Sequence, residues 1–216
     1  MSVPIKRIVL HGQVPGLPFG DVTFTSRAQR VFLLSPAHAG GKRAAMLFRS
    51  SANFALAHRL RMSGLALGEA FSFMSPLYFR GKLLYASTFA NAPEGVPSSL
   101  VITPSRGLLN PETVVGREEL AEICDEPVHM ENPKYRDPLE RDLASLSETL
   151  GSRVRVVLLG SIATPKYLPI LREKLGERLV VPRRFVGLGN MSRGALLLRC
   201  SREGCELEYI PAAQAI

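Results

Sequence analysis

Three residues in this chain have the type and setting of acid–base or nucleophilic catalysts. Glu69 is the only carboxylate between Asp21 and Glu94, in a stretch that also holds nine Lys and Arg residues. A lone acid among cations is either a general base with a perturbed pKa or the partner of a nearby arginine. Asp137, in Tyr135-Arg136-Asp137-Pro138, stands just before a helical pattern. It is a second candidate to activate water, and it would also serve as a helix N-cap. His38 lies three residues after Ser35, but neither has the third partner or the nucleophile elbow of a hydrolase triad.

A second group of residues has the pattern of an anion site. Ser35-Pro36-Ala37-His38-Ala39-Gly40-Gly41-Lys42-Arg43 follows an apolar run and leads into a helical pattern. Glycines there let backbone N–H groups approach a phosphate, and Lys42 and Arg43 would contact it. It is not a Walker A loop, because Pro36 stands at the first glycine position and Arg43 replaces the magnesium-binding hydroxyl. Comparable loops hold Arg106 after Val101-Ile102, and Gly160 and Ser161 after Leu158-Leu159. A fourth surrounds Asn190 and Arg193. In Tyr78-Phe79-Arg80-Gly81-Lys82-Leu83-Leu84-Tyr85, aromatics alternate with cations. Tyr78 and Tyr85 are candidates to stack on bases, and Arg80 and Lys82 to meet phosphates.

The charge balance agrees with an anionic partner. The 216 residues carry 27 Lys and Arg against 19 Asp and Glu, a net charge of +8. The acids concentrate between Glu112 and Glu148, and the segment from Arg153 to Arg202 holds only Glu173 and Glu177. The expected partner is a nucleic acid, DNA ahead of RNA, or a nucleotide. Cys124, Cys200 and Cys205 and the four histidines lack metal-ligand spacing, so neither metal nor cofactor is expected. No apolar run reaches the length of a membrane helix. The opening Met1-Ser2-Val3-Pro4-Ile5-Lys6-Arg7 lacks a signal-peptide core. The expectation is a cytoplasmic protein with free thiols and no membrane partner.

The elements that must position these residues alternate between strand and helix. Val31–Leu34, Ser99–Thr103, Val154–Leu159 and Arg178–Val181 read as strands. Lys42–Met62, Gly81–Ala90, Glu118–Cys124, Pro138–Leu150 and Tyr167–Leu175 read as helices. Ala70–Met74 reads as a further strand. Thr164 is the expected N-cap of the helix at 167, with Pro165 its first residue. That alternation predicts a single α/β domain over residues 1–216, with a mainly parallel central sheet and flanking helices. Residues 1–30, with strands at Lys6–Leu10 and Asp21–Thr25, read as an N-terminal β extension. Residues 194–216 read as an antiparallel C-terminal β-hairpin, turning at Ser201–Gly204 so that Cys200 and Cys205 face each other.

Two blocks, Leu34-Ser35-Pro36-Ala37 and Ile102-Thr103-Pro104-Ser105-Arg106-Gly107-Leu108-Leu109-Asn110-Pro111-Glu112-Thr113-Val114-Val115, resemble the YaaA-like peroxide-stress proteins. Gly160 followed by Tyr167 fits a late strand-end feature of related bacterial proteins. The match covers scattered blocks over about half the chain; Ser35, Lys42, Gly107 and Gly160 are the positions that carry over. The loop from His38 to Lys42 is longer than that family's, and Arg106 stands where the family has tyrosine. The resemblance implies nucleic-acid binding and DNA protection without a defined reaction. From the residues, the chain is read as a nucleic-acid- or nucleotide-binding protein with a basic strand-end cleft. Base or N-glycosidic hydrolysis in DNA repair is one form of that reading, and a non-catalytic DNA-binding stress-protection module is the alternative.

Overall fold

In the computed structural model, which describes residues 28–162 and 165–215, the sheet is built outward from one strand. β1, Arg30–Leu34, is buried along its whole length. It pairs in parallel with β3, Ser99–Ile102, on one side and β6, Arg155–Leu159, on the other. β7, Leu179–Pro182, continues the parallel set beyond β6. Two antiparallel strands, β4, Leu108–Leu109, and β8, Tyr209–Pro211, close the edges, giving the order β4-β3-β1-β6-β7-β8. The period-2 alternation of each strand feeds two cores. Phe32, Leu34, Val101, Val157 and Leu159 face one, and Val31, Leu33, Leu100, Val156 and Leu158 face the other. Helices on both faces are what make these strands read as continuous apolar runs.

The connection from β1 to β3 carries α1, Lys42–Phe48, α2, Ala55–Met62, α3, Leu67–Met74, and α4, Tyr78–Phe89. From β3 to β6 the chain runs through β4, β5 at Val114–Val115, α5, Arg117–Asp125, and α6, Pro133–Thr149. α7, Leu168–Leu175, links β6 to β7, and α8, Asn190–Glu203, links β7 to β8. β2, Leu65–Ala66, pairs with β5 in a separate two-stranded ribbon. α6 and α7 cover one face of the main sheet; the other helices cover the opposite face. The first connection ends on one side of β1 and the second on the other, so the strand order reverses at the β1–β6 boundary. In open parallel sheets that boundary opens a crevice at the carboxyl ends of the strands.

Several expectations need correction. The stretch read as one helix from Lys42 to Met62 is two, interrupted at 49–54, where Ser50-Ser51-Ala52-Asn53 supplies short polar side chains that compete for the backbone. Ala70–Met74 is helical, not a strand. Its buried positions, Leu67, Gly68, Ala70, Phe71 and Met74, follow the helical period, which a five-residue window does not display. Asp137 is no cap: α6 starts at Pro133, where the Asn132 side chain accepts from the Lys134 N–H at 3.2 Å. Asn followed by Pro at the first position is the stronger start signal. α7 begins at Leu168 rather than Pro165.

The C-terminal antiparallel pairing is there, but not as a hairpin within 194–216. β8 pairs with β7, and Ala195–Cys200 lies inside α8. Gly204, at φ 66°, ends that helix in the left-handed conformation instead of turning a hairpin. Cys200 is consequently buried in a helix, Cys205 is exposed, and both are free thiols. The β segments expected at Lys6–Leu10 and Asp21–Thr25, most of the 1–30 extension, and Thr164 lie outside the described residues.

α4 and α8 cross at two glycines. A Cβ on Gly81 would stand 2.9 Å from the Gly194 carbonyl oxygen, and one on Gly194 would stand 2.9 Å from the backbone of Leu77 and Tyr78. Backbone cannot yield as a side chain does. Gly194→Ala is therefore expected to lower stability by about 1–3 kcal/mol, measured as a shift in the urea midpoint at unchanged slope. A neutral result would show that the helices are free to separate.

Candidate functional site

β1 stops because Pro36 has no N–H to continue the ladder. The last bond is from the Ser35 N–H to the Leu159 carbonyl, at 3.1 Å. This fixes Ser35 at the carboxyl end of β1, beside Gly160 and Ser161 at the end of β6. A cleft of about 820 Å³ opens over this boundary. The loop from Ser35 to Gly40 forms one wall, and Phe71 and Met74–Tyr78 form another. Cys124–Val128, Ser161, Lys166, Tyr167, Asn190 and Met191 complete the lining. The volume falls within the range of small-molecule sites.

Under Ser35 lies Lys82, only 1% exposed. It occupies the buried stripe of α4 among Tyr78, Phe79, Tyr85, Ala86 and Phe89. Its Nζ is 2.9 Å from Ser35 Oγ and is also hydrogen-bonded to the Ser35 carbonyl oxygen. The rings of Tyr78 and Phe79 lie 4.6 and 4.9 Å from the same nitrogen. Among the described residues no carboxylate pairs with it. Burial without a counter-charge holds the Lys82 pKa well below the usual lysine value.

Tyr167 completes the cluster from the other strand end. Its hydroxyl accepts the Ser161 N–H at 2.6 Å and is hydrogen-bonded to Ser35. Burial raises its pKa, more than the Ser35 and Ser161 bonds lower it, so the phenol stays protonated. Gly160 is glycine for a steric reason: a Cβ there would stand 2.6 Å from the Tyr167 hydroxyl and 3.1 Å from Ser35 Cβ. Arg193 is buried behind this floor. Its guanidinium donates to the Phe185 carbonyl at 2.9 and 3.2 Å and to the Gly160 carbonyl at 3.4 Å. Among the described residues it too has no carboxylate partner. The Tyr78 hydroxyl lies beside it, and burial pushes that phenol up to about 12, more than Arg193 lowers it.

Of the sequence candidates, Ser35, His38, Gly40, Tyr78, Ser161 and Asn190 line the cleft. Gly160 supports it from beneath, as do Lys82 and Arg193, which are buried rather than presented to a phosphate. The others lie elsewhere. Glu69 is half-buried and forms a two-pronged ion pair with Arg59, at 2.8 and 2.7 Å. Asp137 is exposed and paired with Arg136 at 2.8 Å. Arg43 lies over the Phe73 ring and donates to the Phe73 carbonyl. Arg106 pairs with Glu119 and Glu122 on α5. Lys42, on the first turn of the short α1, Gly41 before it, and Arg80 on the exposed side of α4 do not line the cleft either. Tyr85 is no stacking platform: its ring is fully buried against Phe32 and Phe89, and its hydroxyl is 2.8 Å from that of Tyr209.

The lining is consequently less basic than the charge balance suggests. Lys166 and His38 stand against Asp125 and Glu126. These two carboxylates escaped the sequence reading because they sit in the acidic middle segment, where nothing distinguishes them. Cys124 also lines the cleft, but burial pushes its thiol up to about 12, which favours the unreactive protonated thiol at neutral pH. Among the described residues no cluster of His, Cys, Asp and Glu could hold a metal ion, and no helix is long and apolar enough to cross a membrane. What the fold and cleft define is an α/β protein with a polar strand-end site at a switch point. The chain matches no family model, no curated protein and no solved structure.

Proposed function

We propose that this chain binds a nucleotide, or a single nucleotide of a nucleic acid, in the strand-end cleft, and acts on it as a hydrolase. The observation that carries the reading is the convergence of Ser35, Ser161 and Tyr167 on the floor of an 820 Å³ cleft at the β1–β6 switch point. Such crevices are where open α/β sheets bind their ligands. Arg193, charged and without a carboxylate partner among the described residues, adds a positive field under the Gly160 carbonyl. Asn190 and Lys166 offer polar contacts at the rim, and Pro36 and Met191 offer apolar surface for a base. Asp125 and Glu126, in place of Glu69 and Asp137, are the carboxylates among the described lining residues; Glu126 accepts from Asn132 at 2.7 Å and pairs with Lys134 at 3.8 Å, so Asp125 is the one left to activate water. Together they also set the expected ligand size, because two acids on the wall repel a continuous phosphate backbone. DNA as a long track is correspondingly less well served than one nucleotide.

Calorimetric titration with nucleoside monophosphates and with a short duplex tests this. Mononucleotides are expected to bind. Asn190→Ala and Lys166→Ala should each weaken binding about 5- to 10-fold, the equivalent of one polar contact of about 1 kcal/mol. Lys42→Ala and Glu69→Gln, remote from the lining, should leave affinity unchanged. Duplex binding that falls steeply with salt and depends on Lys42 or Arg80, with no mononucleotide binding, would replace this reading with the DNA-binding module.

A further inference from the structure

We propose that Ser35 and Lys82 form a nucleophile–base dyad that transfers the acyl group of a small carboxylic ester to Ser35 Oγ, with Tyr167 donating to the reacting oxygen. The inference goes beyond the ligand reading above and does not depend on the ligand being a nucleotide.

The geometry supplies each part. Ser35 lines the cleft, and its Oγ lies 2.9 Å from Lys82 Nζ, which is buried. A lysine there is a base only if it is neutral, and burial without a counter-charge favours that form. The described groups facing it are Ser35 and the rings of Tyr78 and Phe79, with Arg193 beyond the Tyr78 hydroxyl and no carboxylate. A neutral amine has two N–H donors and one lone pair. Donation to the Ser35 carbonyl leaves the lone pair for the Ser35 hydroxyl proton. One continuous chain of hydrogen bonds results: the Ser161 N–H donates to Tyr167, the Tyr167 hydroxyl is bonded to the Ser35 side chain, and Ser35 Oγ lies 2.9 Å from Lys82 Nζ, a bond in which a neutral amine accepts the Ser35 proton. This is the general pattern of an activated serine with an adjacent base and a third orienting group.

The step balances without another reagent. Ser35 Oγ bonds to the ester carbonyl carbon as its proton passes to Lys82 Nζ. The tetrahedral oxyanion, facing the Tyr167 O–H, collapses and the bond to the alkoxy oxygen breaks. That oxygen takes the proton from the Lys82 ammonium and leaves as the alcohol. Water then attacks the acyl-serine, Lys82 takes the water proton and returns it to Ser35 Oγ, and the acid departs. An acyl carbon fits this site better than a phosphoryl group, because Lys166 and His38 are the only basic side chains among the described lining residues, and Asp125 and Glu126 share that lining.

The probe is p-nitrophenyl acetate with the full chain. The expected result is a burst of p-nitrophenol equal to the chain concentration, with the acetyl group mapped by mass spectrometry to the Ser35 peptide. The burst rate should rise with pH as Lys82 loses its proton, then level. Lys82→Met should lower the rate about 100-fold or more and remove that rise. Tyr167→Phe should slow it less and keep the rise. Acetyl found on Lys166, Cys124 or any residue other than Ser35, or no burst, overturns the dyad. The map of the unmodified chain decides this even if Ser35→Ala fails to fold. Nucleotide binding without Ser35 acylation would sink the dyad alone; acylation without nucleotide binding would sink only the ligand reading.

Discussion

Lys82→Met is expected to leave the fold about as stable or more stable while it disables the cleft. Lysine and methionine are both unbranched and of similar length, so the substitution leaves the stripe between Tyr78 and Tyr85 filled. The change removes a buried amine whose pKa is held down by desolvation. It also removes a donor to the Ser35 carbonyl, worth about 1 kcal/mol. Replacing a buried ion pair by apolar residues of similar volume is commonly neutral or stabilising by about 1–4 kcal/mol, and Lys82, with no carboxylate partner among the described residues, has no such attraction to lose. The balance near neutral pH runs from a loss of about 1 kcal/mol to a gain of about 3 kcal/mol.

The pH dependence separates this from ordinary repacking. Unfolded Lys82 binds its proton up to the normal lysine pKa, and folded Lys82 releases it earlier. Between the two values the unfolded chain holds more protons, so stability rises with pH, by at most about 1.4 kcal/mol per unit from this group. Lys82→Met should flatten that rise. The measurement belongs below about pH 8, because the raised pKa values of Cys124 and Cys200 act with the opposite sign once unfolded thiols ionise near pH 8.5, as do those of Tyr78, Tyr85, Tyr135 and Tyr167 once unfolded tyrosines ionise near pH 10. Denaturant curves at several pH values that stay parallel for the two proteins would mean Lys82 is protonated in the fold, and therefore no base.

Lys82 also shows how far the sequence could be read. Its place on the apolar stripe of α4 is visible in the spacing of Tyr78, Phe79, Tyr85 and Phe89. A lysine on a buried helix face has to be explained by something, and interleaved aromatics and cations suggested a nucleic-acid surface instead. What the spacing cannot show is that Ser35, far away in sequence, terminates the strand directly over it. The sheet itself was legible, because strands buried on both faces carry continuous apolar runs, as Val31–Leu34 and Val156–Leu159 do. Short runs such as Ala70–Met74 and Leu196–Leu198 failed, since a few consecutive apolar residues satisfy either period and only the tertiary packing chooses. The cations failed for a related reason. Arg59, Arg106 and Arg136 meet acids that lie close in the fold or in the chain, so a net charge of +8 says little about which surface is free.

Gly160→Ala should damage the site more than its single methyl suggests, and Tyr167→Phe should partly repair it. The new Cβ would sit 2.6 Å from the Tyr167 hydroxyl, 3.1 Å from Ser35 Cβ and 3.2 Å from Tyr167 Cζ. To relieve the first contact the phenol must swing away from the Ser161 N–H and from Ser35. The expected loss for Gly160→Ala is about 1–3 kcal/mol of overpacking, with about 1 kcal/mol more for the orphaned Ser161 N–H. Tyr167→Phe alone loses that hydrogen bond but creates no clash. In the double variant the closest atom is gone, leaving contacts near 3.1 and 3.2 Å that small shifts can absorb. Gly160→Ala should therefore cost less when combined with Tyr167→Phe than when made in the unaltered chain, with a coupling of about 1 kcal/mol or more. Additive losses would mean the hydroxyl is not where the methyl must go. In that case Tyr167 would not be held against Ser35 at the switch point, and the chain of hydrogen bonds from Ser161 to Lys82 would be broken at its centre.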